Sequence, residues 1–263
     1  MGAFERTVAY VMSGVIGLCV GSFLNVVIYR LPRGMNLSYP PSHCTTCNYR
    51  LRWYDNIPVL SWLMLKGKCR NCGAPISFRY TAVEIINTLL WILCAFMFWQ
   101  QDWRFAVVAM IACSVFVCVY YIDLEHKLIF DRFHVILLLL GAAACLTDDG
   151  VSPLSRLIGA VGGGAVFLLF FYGSIWILKR EGLGGGDVKL VAAAGFFLGW
   201  EKLCLAVLIA SVLGSVVLLI VNRKNREGRE TEYPFGPFLV AGMLTALLFG
   251  SQLINWYLGL LGG

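Results

Sequence analysis

The chain has 263 residues, of which 59% are hydrophobic and 14% charged, with a formal net charge of +6. That balance is too apolar for a soluble domain of this size and fits a membrane protein. It also sets nucleic acid aside as a partner, because the basic residues fall where membrane topology places them.

The apolar residues come in long blocks. Thr7 to Ile28, Phe105 to Ile122, Leu157 to Leu178, Leu203 to Val221 and the stretch from Phe235 onward carry no charge. Blocks of about twenty residues cross a hydrocarbon core of about 30 Å as helices, which satisfy their own backbone polar groups in lipid. The first block is too long for a signal-peptide core and lacks a small-residue cleavage site, so it predicts a spanning helix. Eight spans are expected in chain order, at about 5–29, 81–100, 104–122, 128–147, 155–178, 186–201, 203–222 and 235–260. The sixth is the shortest. Its apolar part, Val188 to Trp200, covers only about 20 Å at about 1.5 Å per residue.

Charge orients these spans. With eight crossings, 17 of the 21 Lys and Arg residues fall on one side, which the positive-inside rule makes cytoplasmic. Arg6, Arg104, Arg156 and Lys202 fall on the other, with the acidic turn Asp148–Asp149. If the sixth span did not cross, the basic loop Arg223, Lys224, Arg226 and Arg229 would lie outside. The pattern therefore favours eight crossings with both termini outside. Asp123, ending the third span, and Asp187, opening the sixth, then share the cytoplasmic side at similar depth.

The sizeable polar segment lies between the first two spans, at about 31–80. It holds Cys44-Thr-Thr-Cys47 and Cys69-Arg-Asn-Cys72, with 21 residues between the pairs. Two such pairs suit a tetrahedral zinc site, each forming a small knuckle. Two disulfides are the alternative, disfavoured by the reduced compartment that the basic flanks indicate. Four thiolates close the coordination shell, so the metal is expected to be structural. His43 is expected at the surface or behind the ligands. The other six cysteines lie within apolar spans as small hydrophobes.

Carboxylates at the edge of a span suggest function. Asp123 follows Tyr120-Tyr121-Ile122, and Asp187 closes Gly182-Leu-Gly184-Gly185-Gly186-Asp187, with Lys189 just beyond. Glycines there allow substrate and backbone to approach closely. Two close aspartates hold one proton between them, so that one activates water while the other protonates a leaving amide. Each aspartate alone could be only a helix cap. Glu125 and Asp131 are expected to be solvated or structural. Glu84 either pairs with Arg79 or touches substrate. The Gly162-Gly163-Gly164 run permits close helix packing.

These residues resemble the type IV prepilin leader peptidase/N-methyltransferases of pilus and type II secretion systems. The likeness runs through Gly21-Ser-Phe-Leu-Asn-Val-Val-Ile-Tyr-Arg-Leu-Pro32, both CxxC pairs, Arg79-Tyr-Thr-Ala-Val-Glu84, the GxGD signature at Gly184 to Asp187, and Tyr233-Pro-Phe-Gly-Pro-Phe238. Ile129-Phe-Asp131 departs from the family's Ile-Pro-Asp, and Thr81 stands where a proline is often found.

The resemblance implies a first transmembrane helix at 1–30, a cytoplasmic zinc-binding insert at 31–80 and a transmembrane aspartic peptidase domain at 81–263. The whole is an all-α polytopic protein of the bacterial inner membrane. It further implies that Asp123 and Asp187 cleave a prepilin or pseudopilin after a glycine. S-adenosylmethionine then supplies a methyl group to the new N-terminus. The insert is the candidate methyltransferase part, although no soluble S-adenosylmethionine motif is recognisable. Two other functions compete: a proton- or cation-coupled transporter, which an internal repeat would indicate and none is visible, and a secretion-system scaffold with a dead site, against which two intact aspartates argue.

Overall fold

A computed structural model describes residues 3–179, 183–224 and 233–260. Arg180, Gly182, Arg226 and Arg229 lie outside the described residues. All regular elements among the described residues are helices, and the chain divides into two compact units, Met1–Cys118 and Val119–Gly263.

The first unit holds α1 (Ala3–Arg30), α2 (Leu60–Met64), α3 (Phe78–Phe98) and the first part of α4 (Trp103–His126). Glycines set the contact between α1 and α3. A Cβ on Gly17 would stand 3.2 Å from the Thr88 Cα, and one on Gly21 would stand 2.8 Å from the Glu84 Cα. Apolar helices gain little from burial against each other in lipid, so this close approach and the polar bonds it permits hold the pair. Asn87 Nδ2 donates to the Gly17 carbonyl at 2.8 Å, Ser114 Oγ donates to Asn87 Oδ1 at 2.8 Å, and Trp91 Nε1 donates to Ser114 Oγ at 2.9 Å. All three bonds are buried, which ties α1, α3 and the start of α4 together.

The second unit holds the end of α4, then α5 (Asp131–Ala144), α6 (Pro153–Leu178), α7 (Gly185–Leu198), α8 (Trp200–Lys224) and α9 (Gly236–Leu260). Small residues again set the packing. Gly159 of α6 and Gly195 of α7 meet backbone to backbone, and Gly242 of α9 meets the Ala206 backbone of α8. Ser152 caps α6 by accepting the Ser155 N–H, with Pro153 at the first turn. At the far end of this unit the fully buried Arg156 reaches the Phe197 carbonyl and pairs with Asp149. The charge pattern placed Arg156 on the outer side, at the start of its span; there its guanidinium satisfies a carbonyl left open at the end of α7.

Among the described residues, six helices (α1, α3, α4, α6, α8 and α9) are long and apolar enough to cross a bilayer. The fourth expected span is shorter than the sequence suggested, and the sixth is about as short as its apolar part implied. Helices α5 and α7 have 14 residues each, or about 21 Å at about 1.5 Å per residue. The reason is local. Lys127 at φ 53° ends α4 and Phe130 is extended, so the apolar Leu128 to Phe130 form a turn. Gly199 at φ 82° breaks α7 from α8, so Trp200 belongs to the next helix. Eight full-length crossings therefore do not follow from helix length.

Candidate active site and metal centre

Asp123 stands in the last turn of α4 and Asp187 in the first turn of α7. Both are buried, at 5% and 7% exposure. They are near enough for the Asp123 carboxylate to act electrostatically on Asp187. Backbone N–H groups face them, Gly236 toward Asp123 and Gly184 toward Asp187. Asp123 Oδ2 and Asp187 Oδ1 are nonetheless buried without a hydrogen-bond partner. Buried polar atoms of this kind carry a cost unless a further group satisfies them.

Close backbone approach makes this arrangement possible. A Cβ on Gly236 would overlap Asp123 Oδ2, and one on Gly184 would stand 3.2 Å from Asp187 Oδ2. Ile129, in the turn after α4, packs on both sides of the pair. Its side chain would lie 3.2 Å from a Cβ on Gly186 and 3.4 Å from one on Gly236. The Gly184 to Asp187 motif is thus pinned by Ile129, while Gly185 faces open space. Sequence reasoning took Gly236 only as part of a resembling segment. Its contact with Asp123 is a tertiary fact that no spacing announces.

The pair sits short of the ends of its neighbours. Helices α6 and α7 run antiparallel, with Gly164 against Ala192 and Gly159 against Gly195. Asp187 is therefore level with about residue 169 of α6, which continues for roughly 13 Å to Leu178. Gly214 of α8 faces Phe235 and Phe238 at the start of α9. Helix α8 likewise continues about 15 Å beyond that level. The aspartates thus lie at the ends of their own helices, as the sequence placed them, but short of the ends of α6 and α8.

Lys189 and Asp131 form a separate, exposed ion pair at 2.8 Å, with His134 Nδ1 3.3 Å from the same carboxylate oxygen. This pair joins the starts of α5 and α7 beside the aspartates. In the first unit, Glu84 is buried and accepts the Val59 N–H at 2.8 Å, with the Ser22 hydroxyl as its second partner. Its partner in the structure is thus the insert backbone, where the sequence offered Arg79.

The four insert cysteines converge. Their sulfurs all lie within 4.8 Å of one another, with Cys44–Cys72 at 3.9 Å and Cys47–Cys69 at 4.0 Å. A tetrahedron with metal–sulfur bonds of about 2.3 Å needs sulfurs roughly 3.8 Å apart. The donors fit a metal, and no sulfur is bonded to another. Two matching turns build the site. The Cys44 N–H donates to the Tyr49 carbonyl at 2.9 Å and the Cys69 N–H to the Ala74 carbonyl at 2.8 Å. Asn48 and Gly73 hold the same left-handed position in each, at φ 56° and 71°. Backbone N–H groups of Cys47 and Thr46 pull the Cys44 thiol down to about 6. His43 bonds instead to the Pro41 carbonyl.

Residues 15–98 match the family model of the bacterial peptidase A24 N-terminal domain, and residues 110–219 that of the type IV leader peptidase family. A prepilin leader peptidase/N-methyltransferase of Legionella pneumophila is 33% identical, across 95% of this chain and 94% of that one. One of Aeromonas hydrophila is 36% identical, across 92% of this chain and 91% of that protein. One of Burkholderia pseudomallei is 36% identical, across 95% and 87%. No solved structure matches.

Proposed function

The chain belongs to the type IV prepilin leader peptidase/N-methyltransferase family, and on that footing we propose that Asp123 and Asp187 remove the leader of a prepilin or pseudopilin, after which the same protein methylates the new N-terminus. The observation that carries the peptidase half is the meeting of two buried aspartates from helices 64 residues apart in sequence, each with an unpartnered oxygen.

The pair acts as a unit holding one proton. One carboxylate takes a proton from water as its oxygen adds to the scissile carbonyl carbon. The other gives its proton to the peptide nitrogen as the carbon–nitrogen bond breaks. The Gly236 and Gly184 N–H groups face the carboxylates.

The depth of the pair suits the substrate. A prepilin offers a basic leader followed by an apolar helix. The helix lies in the bilayer and the leader on the cytoplasmic side, which the basic loops of this chain also favour. The scissile bond then has to reach below the ends of α6 and α8.

Cys44, Cys47, Cys69 and Cys72 hold zinc, which fixes the fold of the insert. S-adenosylmethionine, when bound, supplies the methyl group. The test is leader removal, followed by mass shift, in membranes containing the protein and a prepilin. Asp123→Ala and Asp187→Ala, each alone, are expected to leave the leader attached. Normal cleavage by either variant would contradict the pair.

A further inference from the structure

The first unit contains a cavity of about 690 Å³ between α1, the start of α3 and the four-cysteine insert. This lies within the roughly 300–1,000 Å³ range of small-molecule sites. Nothing in the peptidase chemistry uses it, since every residue lining it belongs to the first unit.

Its polar lining is selective. Of the charged side chains, Asp55 is matched by Arg70 at 2.8 Å. Arg30 is buried and spends its guanidinium on the carbonyls of Asn36, Leu37 and Pro40. Glu84 differs. It is 8% exposed, and both of its hydrogen-bond partners, the Val59 N–H and the Ser22 hydroxyl, are neutral. A buried carboxylate held only by neutral groups calls for a cation. Beside it, Asn25 is 6% exposed and donates to the Tyr80 carbonyl at 2.9 Å, yet its Oδ1 has no partner. That oxygen calls for a donor. The aromatic residues Tyr29, Trp62 and Tyr80 also line the space. Aromatic faces attract both flat heterocycles and cations.

One carboxylate without a cation, one acceptor without a donor and aromatic walls describe a ligand that is cationic, carries N–H groups and has a flat ring. We propose that this cavity binds S-adenosylmethionine. Glu84 faces the positive charge of the sulfonium or α-ammonium group, Asn25 Oδ1 accepts an N–H, and the aromatic residues contact the adenine. The inference rests on the methyltransferase half of the proposed function and assigns it a place.

The cavity also explains why the insert needs its four cysteines. Cys44 and Cys69 line it, and Trp62 Nε1 donates to the Ile76 carbonyl at 3.0 Å, closing the wall between the second knuckle and α2. The knuckles are thus structural parts of one wall of the ligand site.

The test uses the full-length protein in detergent, with leader removal measured on the same sample. S-adenosylmethionine binding is titrated by calorimetry, and tritiated donor is crosslinked by ultraviolet light and mapped by mass spectrometry. Crosslinked adducts are expected in peptides carrying Tyr29, Trp62 or Tyr80. Glu84→Gln is expected to weaken binding at least tenfold, as is Ser61→Phe, which fills the cavity from α2. Adducts confined to residues after 118, or wild-type affinity in both variants, would overturn the assignment. So would a wild-type sample that cleaves its prepilin but binds no donor. A sample that binds donor yet fails to cleave leaves the cavity standing and contradicts the aspartate pair instead.

Discussion

The two units build their sites in opposite ways. In the second, the aspartates are brought together mainly by helix packing, through glycines that let backbones touch. In the first, a polar segment has too little apolar surface to fold by burial. It is held by four convergent cysteines and by side chains that cap its backbone. Arg30 binds three carbonyls of the insert and Glu84 accepts one of its N–H groups. A packed site fails when one atom is added, whereas a stapled site fails when a ligand or a cap is removed.

Substitutions can break this contrast. The largest effect is expected from Asp187→Asn, which keeps the shape but removes the carboxylate. Leader removal should fall about 10²–10⁴-fold, measured by single-turnover cleavage. Adding one methyl with Gly236→Ala should cost about 10²-fold in the same assay, because the new Cβ overlaps Asp123 Oδ2 and displaces it. Arg156→Met removes the guanidinium paired with the buried Asp149 side chain, and should lower the stability of the second unit by about 3–5 kcal/mol in thermal unfolding. Gly21→Ala forces α1 away from Glu84 and should cost about 1–3 kcal/mol through overpacking. Cys44→Ser should lower bound metal, read by elemental analysis, and loosen the insert. Normal metal content would show that the cysteines are not its ligands.

Much of this was legible in the sequence. The uncharged blocks gave the long helices, because a spanning helix must be apolar along its whole length. The CxxC spacing gave the four-cysteine cluster, since each turn closes on itself through local bonds. What the sequence concealed was depth. Leu128 to Phe130 and Trp200 are as apolar as any span, yet they form a turn and the start of the next helix. Apolarity says that a residue avoids water, but not whether its backbone is helical. The contacts of Gly236 with Asp123 and of Arg156 with Asp149 were equally hidden, because each joins separate elements. A lone Arg near a span edge reads as a topology signal until its partner is seen.

The most direct measurement gives Asp123→Asn two substrates in the presence of S-adenosylmethionine: an intact prepilin and the same pilin already freed of its leader. Product masses are read in both. If each unit carries a complete site of its own, the intact prepilin keeps its leader while the free pilin gains a methyl group. Loss of the leader at the wild-type rate would contradict the aspartate pair. A free pilin methylated by the wild-type protein but not by this variant would contradict the separation of the two sites.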